Sequence, residues 1–394
     1  MLDTPHRTDP GALSTAAGNV GSDRSGKGTS TERDAPHEDF VINGKFMSQR
    51  MTGVQRCAYE FATALQRAES EHRRFAVIVP ADAKTTAAPF KTRTAFSWLK
   101  GSLWEQLALP FASGRQILLS LCNVGPLIKR RHVVMIYDMA VFDAPSGYSR
   151  KFRWWYTFVF FSLKLNARHI VTVSEFSKSR IRAALGVPDS KVSVVKLAAD
   201  HFGRIESDMS VVARLDLKKD RYGLAVGSLA GGKNHARLLA AIERLELRDD
   251  FKFVLAGGNN ARIFGNSGTR AAGEAEKVVR AGYVSDNELK ALYENAAFFV
   301  FPSLYEGFGL PPLEAMYCGC PVIVSREASL PEVCGDAALY CDAYSVDDIA
   351  QKMTAMMNDT RMRAMYRTRG REHAKQFQWA KSASRLLDTI SRTR

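Results

Sequence analysis

The stretch FFVFPSLYEGFGLPPLEAMYCG, residues 298–319, sets two glutamates, Glu306 and Glu314, eight positions apart, with Gly-Phe-Gly and Pro-Pro between them. The aromatic and β-branched run at its start reads as a buried strand. The strand leads into a loop that holds Glu306, and Pro311 or Pro312 suits the first turn of a helix that then carries Glu314. Both acids therefore fall at the carboxyl end of the strand. The free N–H groups of a helix start, with Gly307 and Gly309 permitting close backbone approach, make a natural phosphate site. A carboxylate can also accept two hydrogen bonds from a neutral diol. The plain reading leaves Glu306 solvated and uses Glu314 to complement the helix dipole, and the company of the glycines and prolines weighs against it.

Lys233 follows the strand-like YGLAVG and precedes the helix-like HARLLAAI, so its ammonium can reach a diphosphate lying over that helix start. A cation there would stabilise negative charge growing on a leaving phosphate. The same stretch, Gly227-Ser-Leu-Ala-Gly-Gly232-Lys233-Asn234, matches the phosphate-loop pattern except at its last position, and VVMIYD ending at Asp138 imitates its acidic partner strand. Asn234 lacks the hydroxyl that would hold magnesium, which disfavours a nucleotide hydrolase. Gly53, between FVING and the helix-like VQRCAYEFATAL, would let main chain approach a phosphate from the other half of the chain. No Asp-x-Asp occurs, and no His, Cys or carboxylate cluster has metal-ligand spacing, so no metal is expected.

The elements that must position these residues alternate. Strands are read at 40–44, 75–80, 132–138, 169–174 and 192–196, then at 222–228, 251–258, 298–303 and 321–325, with helical patterns between them. That is an α/β chain with parallel sheets. Its 394 residues suit two domains, divided in the polar stretch near 199–220. Residues 1–38, rich in Gly, Ser, Thr and Asp, read as a disordered tail, and the whole as a cytoplasmic protein. The cysteines at 57, 122, 318, 320, 334 and 341 read as reduced structural thiols. Charge is uneven: residues 39–200 hold 24 basic against 11 acidic residues, a net +13, while residues 201–394 net +3. The run Lys129-Arg130-Arg131 and the aromatic segment KFRWWYTFVFFSLKLNAR (151–168) point that half toward an anionic membrane surface, with a core helix as the plain alternative. Nucleic acid is not an expected partner, because no recognition motif or aromatic platform accompanies the charge.

The 305–323 stretch resembles the E-x7-E signature of retaining glycosyltransferases of the GT-B fold, in particular family four. TGVQRCAYEF (52–61), VTVSEFSKSRI (171–181), AVGSLAGGKNHARLLAAI (225–242) and RAGYVSDNELKALYENAAFFVFPS (280–303) resemble further segments of that family, so the likeness covers roughly 40–375. It implies two doubly wound Rossmann-like domains facing across a cleft: 39–205 for the acceptor, 206–375 for a nucleotide-sugar donor, and a helix in 376–394 returning toward the first. It further implies that Glu306 contacts hydroxyls of the transferred sugar, that backbone at Gly307, Phe308, Gly309 and Leu310 holds sugar and phosphates, and that Glu314 accepts from the ribose. Tyr283 and Val284 would lie beside the base.

Two departures stand out. The family's basic residue before the lysine is Gly232 here, which leaves Arg237 or a residue of the other domain to help. Its common His-Asp is Tyr137-Asp138, with Tyr137 still able to donate a hydrogen bond. The implied function is hexose transfer, best read as mannose from GDP-mannose, to a glycan or lipid-diphosphate-linked acceptor in exopolysaccharide or O-antigen synthesis. No cofactor is implied, and the enzyme would sit on the inner face of the cytoplasmic membrane. A catalytically silent protein of the same fold is the remaining alternative.

Overall fold

The computed structural model describes residues 40–68, 74–86, 88–227, 231–246, 250–257 and 278–393. The tail read over 1–38 lies outside them. Two parallel sheets organise the chain. The first contains β1 (Phe40–Asn43), β2 (Phe75–Val79), β3 (Thr92–Thr94), β4 (Ile117–Ser120), β5 (His132–Met135), β6 (His169–Thr172) and β7 (Val192–Val194), in the order β3-β2-β1-β4-β5-β6-β7. The second contains β8 (Tyr222–Val226), β9 (Lys252–Ala256), β10 (Val278–Gly282), β11 (Phe298–Phe301), β12 (Val322–Ser325) and β13 (Leu339–Cys341), in the order β10-β9-β8-β11-β12-β13. Each is a doubly wound Rossmann-like sheet whose order reverses beside its first strand, where such sheets bind ligands.

The central strands are continuous apolar runs because helices cover both sheet faces. FAVIV, FFVF and VIVS are buried at every position. One face of the first sheet packs Ile42, Leu119 and Met135 on the helix Gly53–Arg67 and on the last helix, Trp379–Arg392. The ring of Phe61 meets Trp379 edge-on at 5.0 Å. On the other face, Val134, Ile136 and Ile170 lie under Val159, Phe160 and Leu163 of the helix Arg150–Asn166, while Val41, Ile78 and Leu118 lie under Trp104, Ala108 and Leu109.

Four strands escaped the sequence pattern. β3 is TRT, exposed at all three positions, and β13 is a three-residue LYC. β4 is an unpunctuated ILLS, and β10 ends in Arg-Ala-Gly on an edge. The strands read to 138, 174 and 303 stop at 135, 172 and 301, and the residues beyond them become the loops of the site.

Candidate active site

β11 ends at Phe301, and the loop after it is built around Ser303, Tyr305, Glu306 and Gly307. Glu306 Oε1 accepts from Lys233 Nζ at 2.6 Å and from Ser303 Oγ at 2.6 Å. Lys233 arrives from a short 3-10 turn, Gly231–Lys233, after β8, and its ammonium also lies 5.0 Å from the Phe301 ring centre. The turn is pinned where the Gly232 carbonyl accepts from Leu304 N at 2.8 Å. Asp138, just past the end of β5, faces this pair from the opposite sheet. Burial raises its pKa and neighbouring Glu306 raises it further, against the Ala140 N–H and the charge of Lys233. Asp138 of the first lobe thus lies within the field of the ion pair of the second.

The loop glycines serve the approach of the lobes. A Cβ on Gly307 would come within 2.3 Å of the Tyr137 carbonyl. The Gly307 carbonyl accepts from Ser174 Oγ at 2.6 Å and Ser177 Oγ at 3.0 Å, both in the SEFSK segment that starts the helix Glu175–Leu185. Gly309 adopts φ 96° as the chain turns into the helix Leu310–Tyr317, a conformation that favours glycine. Phe308 and Leu310 point inward, Phe308 standing 6.1 Å from Phe377, so what they offer a ligand is main chain.

Glu314, in the second turn of that helix, occupies a separate polar corner. Tyr293 Oη lies 3.5 Å from its Oε2 and His201 Nε2 lies 3.8 Å from its Oε1. The Trp379 indole N–H donates to His201 Nδ1 at 3.2 Å, so the imidazole proton sits on Nε2, toward the acid. Burial lifts Glu314 to about 7, with Arg56 and Tyr293 opposing, and burial drops His201 to about 3. The corner therefore holds a neutral imidazole beside an acid that titrates near neutrality.

The remaining expected residues are scattered around these two centres. Gly53 opens the helix Gly53–Arg67, and a Cβ there would meet open space. Tyr283 is exposed, with the Arg50 guanidinium 4.7 Å from its ring centre, and Val284 packs on the core. Arg56 pairs with Asp286 across the lobes. The Tyr137 ring is buried in the first lobe with its hydroxyl beside Cys57, and its carbonyl accepts from Ser177 Oγ at 2.9 Å. Arg237 bonds the Asn234 side chain and lies over Tyr344. Asn234 itself donates to the carbonyls of Pro302 at 3.0 Å and Ala343 at 2.7 Å, which ties the turn to the end of β11. All six cysteines are free thiols, five of them buried.

Sequence reasoning missed Tyr305, Asp143 and Tyr148. The Tyr305 hydroxyl donates to Asp143 Oδ2 at 2.8 Å, and Arg180 Nε donates to the same oxygen at 2.9 Å. Burial alone would raise Asp143, but the Arg180 and Tyr305 hydrogen bonds outweigh it and lower its pKa. Burial, with Asp138 and Glu306 nearby, pushes Tyr148 up to about 12. Asp143 closes the short helix Ala140–Asp143 and the tyrosines lie in loops, and only the convergence of the strand ends marks them. Among the described residues no group of three His, Cys, Asp or Glu is placed to hold a metal.

Comparison with known proteins gives a consistent picture. The family model described as glycosyl transferases group 1 matches residues 212–373. The O-antigen chain mannosyltransferase B of Escherichia coli is 35% identical over 267 residues, which cover 66% of this chain and 69% of that protein. The O-antigen chain mannosyltransferase RfbU of Salmonella typhimurium is 26% identical over 338 residues, covering 81% and 90%. Of the longer serotype-specific mannosyltransferase WbdA of Escherichia coli, the chain spans 28%. Among solved structures, Anabaena HepE in complex with UDP and glucose superposes with a TM-score of 0.70 at 15% identity, covering 90% of this chain and 100% of that one, a likeness of GT-B fold.

Proposed function

Since the chain belongs to the group 1 glycosyltransferases, we propose that it moves a mannosyl unit from GDP-mannose onto a lipid-diphosphate-linked glycan of the O-antigen or exopolysaccharide type, with retention at the anomeric carbon. The observation that carries the reading is Lys233 held 2.6 Å from Glu306 at the carboxyl ends of β8 and β11, facing Asp138 beyond β5. The names of the mannosyltransferase relatives support the sugar and the glycan class.

In this reading the donor diphosphate lies over the start of the helix Leu310–Tyr317, with Lys233 against it and Glu306 released to the sugar hydroxyls. Glu314 takes the ribose hydroxyls. The acceptor hydroxyl attacks the anomeric carbon on the face from which the diphosphate departs. The C1–O bond to phosphate breaks, its electron pair passes to the phosphate oxygen, and that oxygen receives the acceptor's proton. Lys233 and the helix-start amides stabilise the leaving charge, so the transfer runs without a divalent ion. Approach of the lobes excludes water that would otherwise hydrolyse the donor. The acceptor lipid places the enzyme on the inner face of the cytoplasmic membrane as a peripheral protein. Among the described residues no helix is long and apolar enough to cross a membrane.

A single comparison tests the donor. Thermal unfolding with GDP, UDP, dTDP and ADP at equal concentration should show the largest rise with GDP, because a ligand of the native state stabilises by mass action. Labelled GDP-mannose should then pass its sugar to lipid-linked acceptor, at a rate unchanged by a chelator. A larger shift with UDP than with GDP would sink the donor assignment.

A further inference from the structure

The basic run that drew attention in the sequence is largely engaged by the protein itself. Lys129 is buried, with Nζ donating to the Gly114 carbonyl at 2.6 Å, and Arg131 donates to the Arg115 carbonyl at 2.8 Å. A different surface is left uncovered. The helix Arg150–Asn166 buries Val159, Phe160 and Leu163 against the sheet, and its opposite side is apolar too. Trp154, Phe158, Phe161 and Leu165, spaced as one helical face, are exposed by 72%, 48%, 42% and 76%. Beside it run three consecutive turns, Gly101–Leu103, a π turn at Trp104–Ala108, and Leu109–Ala112. Their outer side carries Leu103, Leu107 and Phe111, exposed by 63%, 53% and 78%.

The two stripes belong to one surface. Leu118 pairs in register with His132, so Leu118 under the turns and Val134 under the helix point from the same side of the first sheet. The two elements also share a pocket of about 320 Å³, lined by Ser102 and Glu105 from one and by Trp155 and Tyr156 from the other. Ionic composition is one-sided. Residues 144–174 contain five basic residues and no acid. The single acid of the turns, Glu105, is buried and bonded to Lys45 at 2.7 Å. A helix with Trp and Phe outward and Lys and Arg at its rim lies in the plane of a membrane interface, rings among the acyl chains and cations at anionic headgroups. A second copy of this chain would bring the same positive charge against itself.

We infer that this double ridge, Leu103-Leu107-Phe111 with Trp154-Phe158-Phe161-Leu165, is the surface by which the protein inserts into the headgroup layer of an anionic bilayer. The inference rests on the proposed lipid-linked acceptor and sharpens it by naming the face. It also sets the shared pocket, with Asn43, Lys45 and Glu105 in its wall, at the level of the headgroups.

The test uses the full chain and vesicles of phosphatidylcholine alone or in equal parts with phosphatidylglycerol. Co-sedimentation should occur with the anionic vesicles, fall with added salt, and be accompanied by quenching of tryptophan emission by brominated acyl chains. W154S/F158S/L165S should lower partitioning about tenfold or more and remove most of the quenching. R150S/K151S/R153S should lower it about a hundredfold at low salt, and K129S should leave it near the wild-type value. Stabilisation by GDP, unchanged in these variants, shows them folded and separates loss of membrane binding from failure of the donor reading. Equal binding to neutral vesicles, undiminished binding by the apolar triple variant, or a wild-type dimer that this variant dissociates would each overturn the inference.

Discussion

Both lobes use the same wound parallel sheet, yet they present their chemistry in opposite ways. The second lobe supplies polar side chains, Lys233, Glu306 and Glu314, each with named partners within a few ångströms. The first supplies mainly main chain and bulk. It gives the Tyr137 carbonyl, the helix start at Ser174, an exposed Gly53 and a broad apolar ridge, with Asp138 as its main charge at the centre. A group that must meet growing charge at one atom needs a fixed side chain. A surface that meets a fluid layer needs only composition and exposure.

The largest expected effect concentrates on the second lobe. Lys233→Ala should lower the transfer rate by roughly 2–4 kcal/mol of transition-state stabilisation, with Lys233→Arg recovering part. Because Lys233 and Glu306 form one bonded unit, the double variant K233A/E306A should cost little more than the worse single one, measured as a double-mutant cycle on kcat/KM. Strict additivity would show that the pair does not act together.

Next in size is the Glu314 corner, read through pH. Folding raises this acid from its ordinary 4.5 to about 7 by burial. The native form thus holds the proton more tightly than the unfolded chain. The associated stability is complete below the unfolded value and is lost as pH rises through the folded one. Glu314→Gln keeps the shape and omits that loss, so its stability relative to wild type should grow between pH 5 and pH 8 by on the order of 2–3 kcal/mol. Urea unfolding at several pH values checks this, and a gap that stays flat with pH would place Glu314 in a wetter environment. In kinetics, Glu314→Ala should weaken nucleotide binding, whereas Glu306→Ala should act on kcat.

Smaller effects belong to contacts that join the lobes. Tyr305→Phe removes the hydroxyl from Asp143 and should cost about 1 kcal/mol of stability, with Asp143 still held by Arg180. Glu332→Ala, which frees the Glu175 and Phe176 amides while Ser174 still caps the helix Glu175–Leu185, should cost about 0.5–1 kcal/mol by the same measurement.

The legible part of this molecule was the part under local constraint. Buried strands such as FFVF and the turn from Gly309 into a proline-led helix announce themselves because few other residues fit those conformations. The direction of the Tyr137 side chain could not be read, because a tyrosine at a strand end has two directions open to it, and here the ring is buried beside Cys57. Asp143 and Tyr305 could not be paired from sequence, since they lie 162 residues apart, in a short helix of one lobe and a loop of the other. The outward side of the aromatic helix was ambiguous because its sequence is apolar nearly all round. Only the packing of Val159, Phe160 and Leu163 decides which side stays bare.

Glu332, in the short helix Leu330–Cys334 of the second lobe, accepts from the backbone N–H of Glu175 at 2.9 Å and of Phe176 at 3.3 Å, at the start of a helix in the first lobe. A helix end of one lobe is thereby completed by a carboxylate of the other. Such a fastening is easily undone: when the lobes part, two amides trade a carboxylate for water, and the apolar contact to be separated beside them is the edge of Phe176 on Tyr305. The contact behaves as a press-stud more than as a hinge. It specifies where the lobes meet while adding little to the barrier for parting them, so opening on the microsecond to millisecond scale of domain motions is compatible with a well-defined contact.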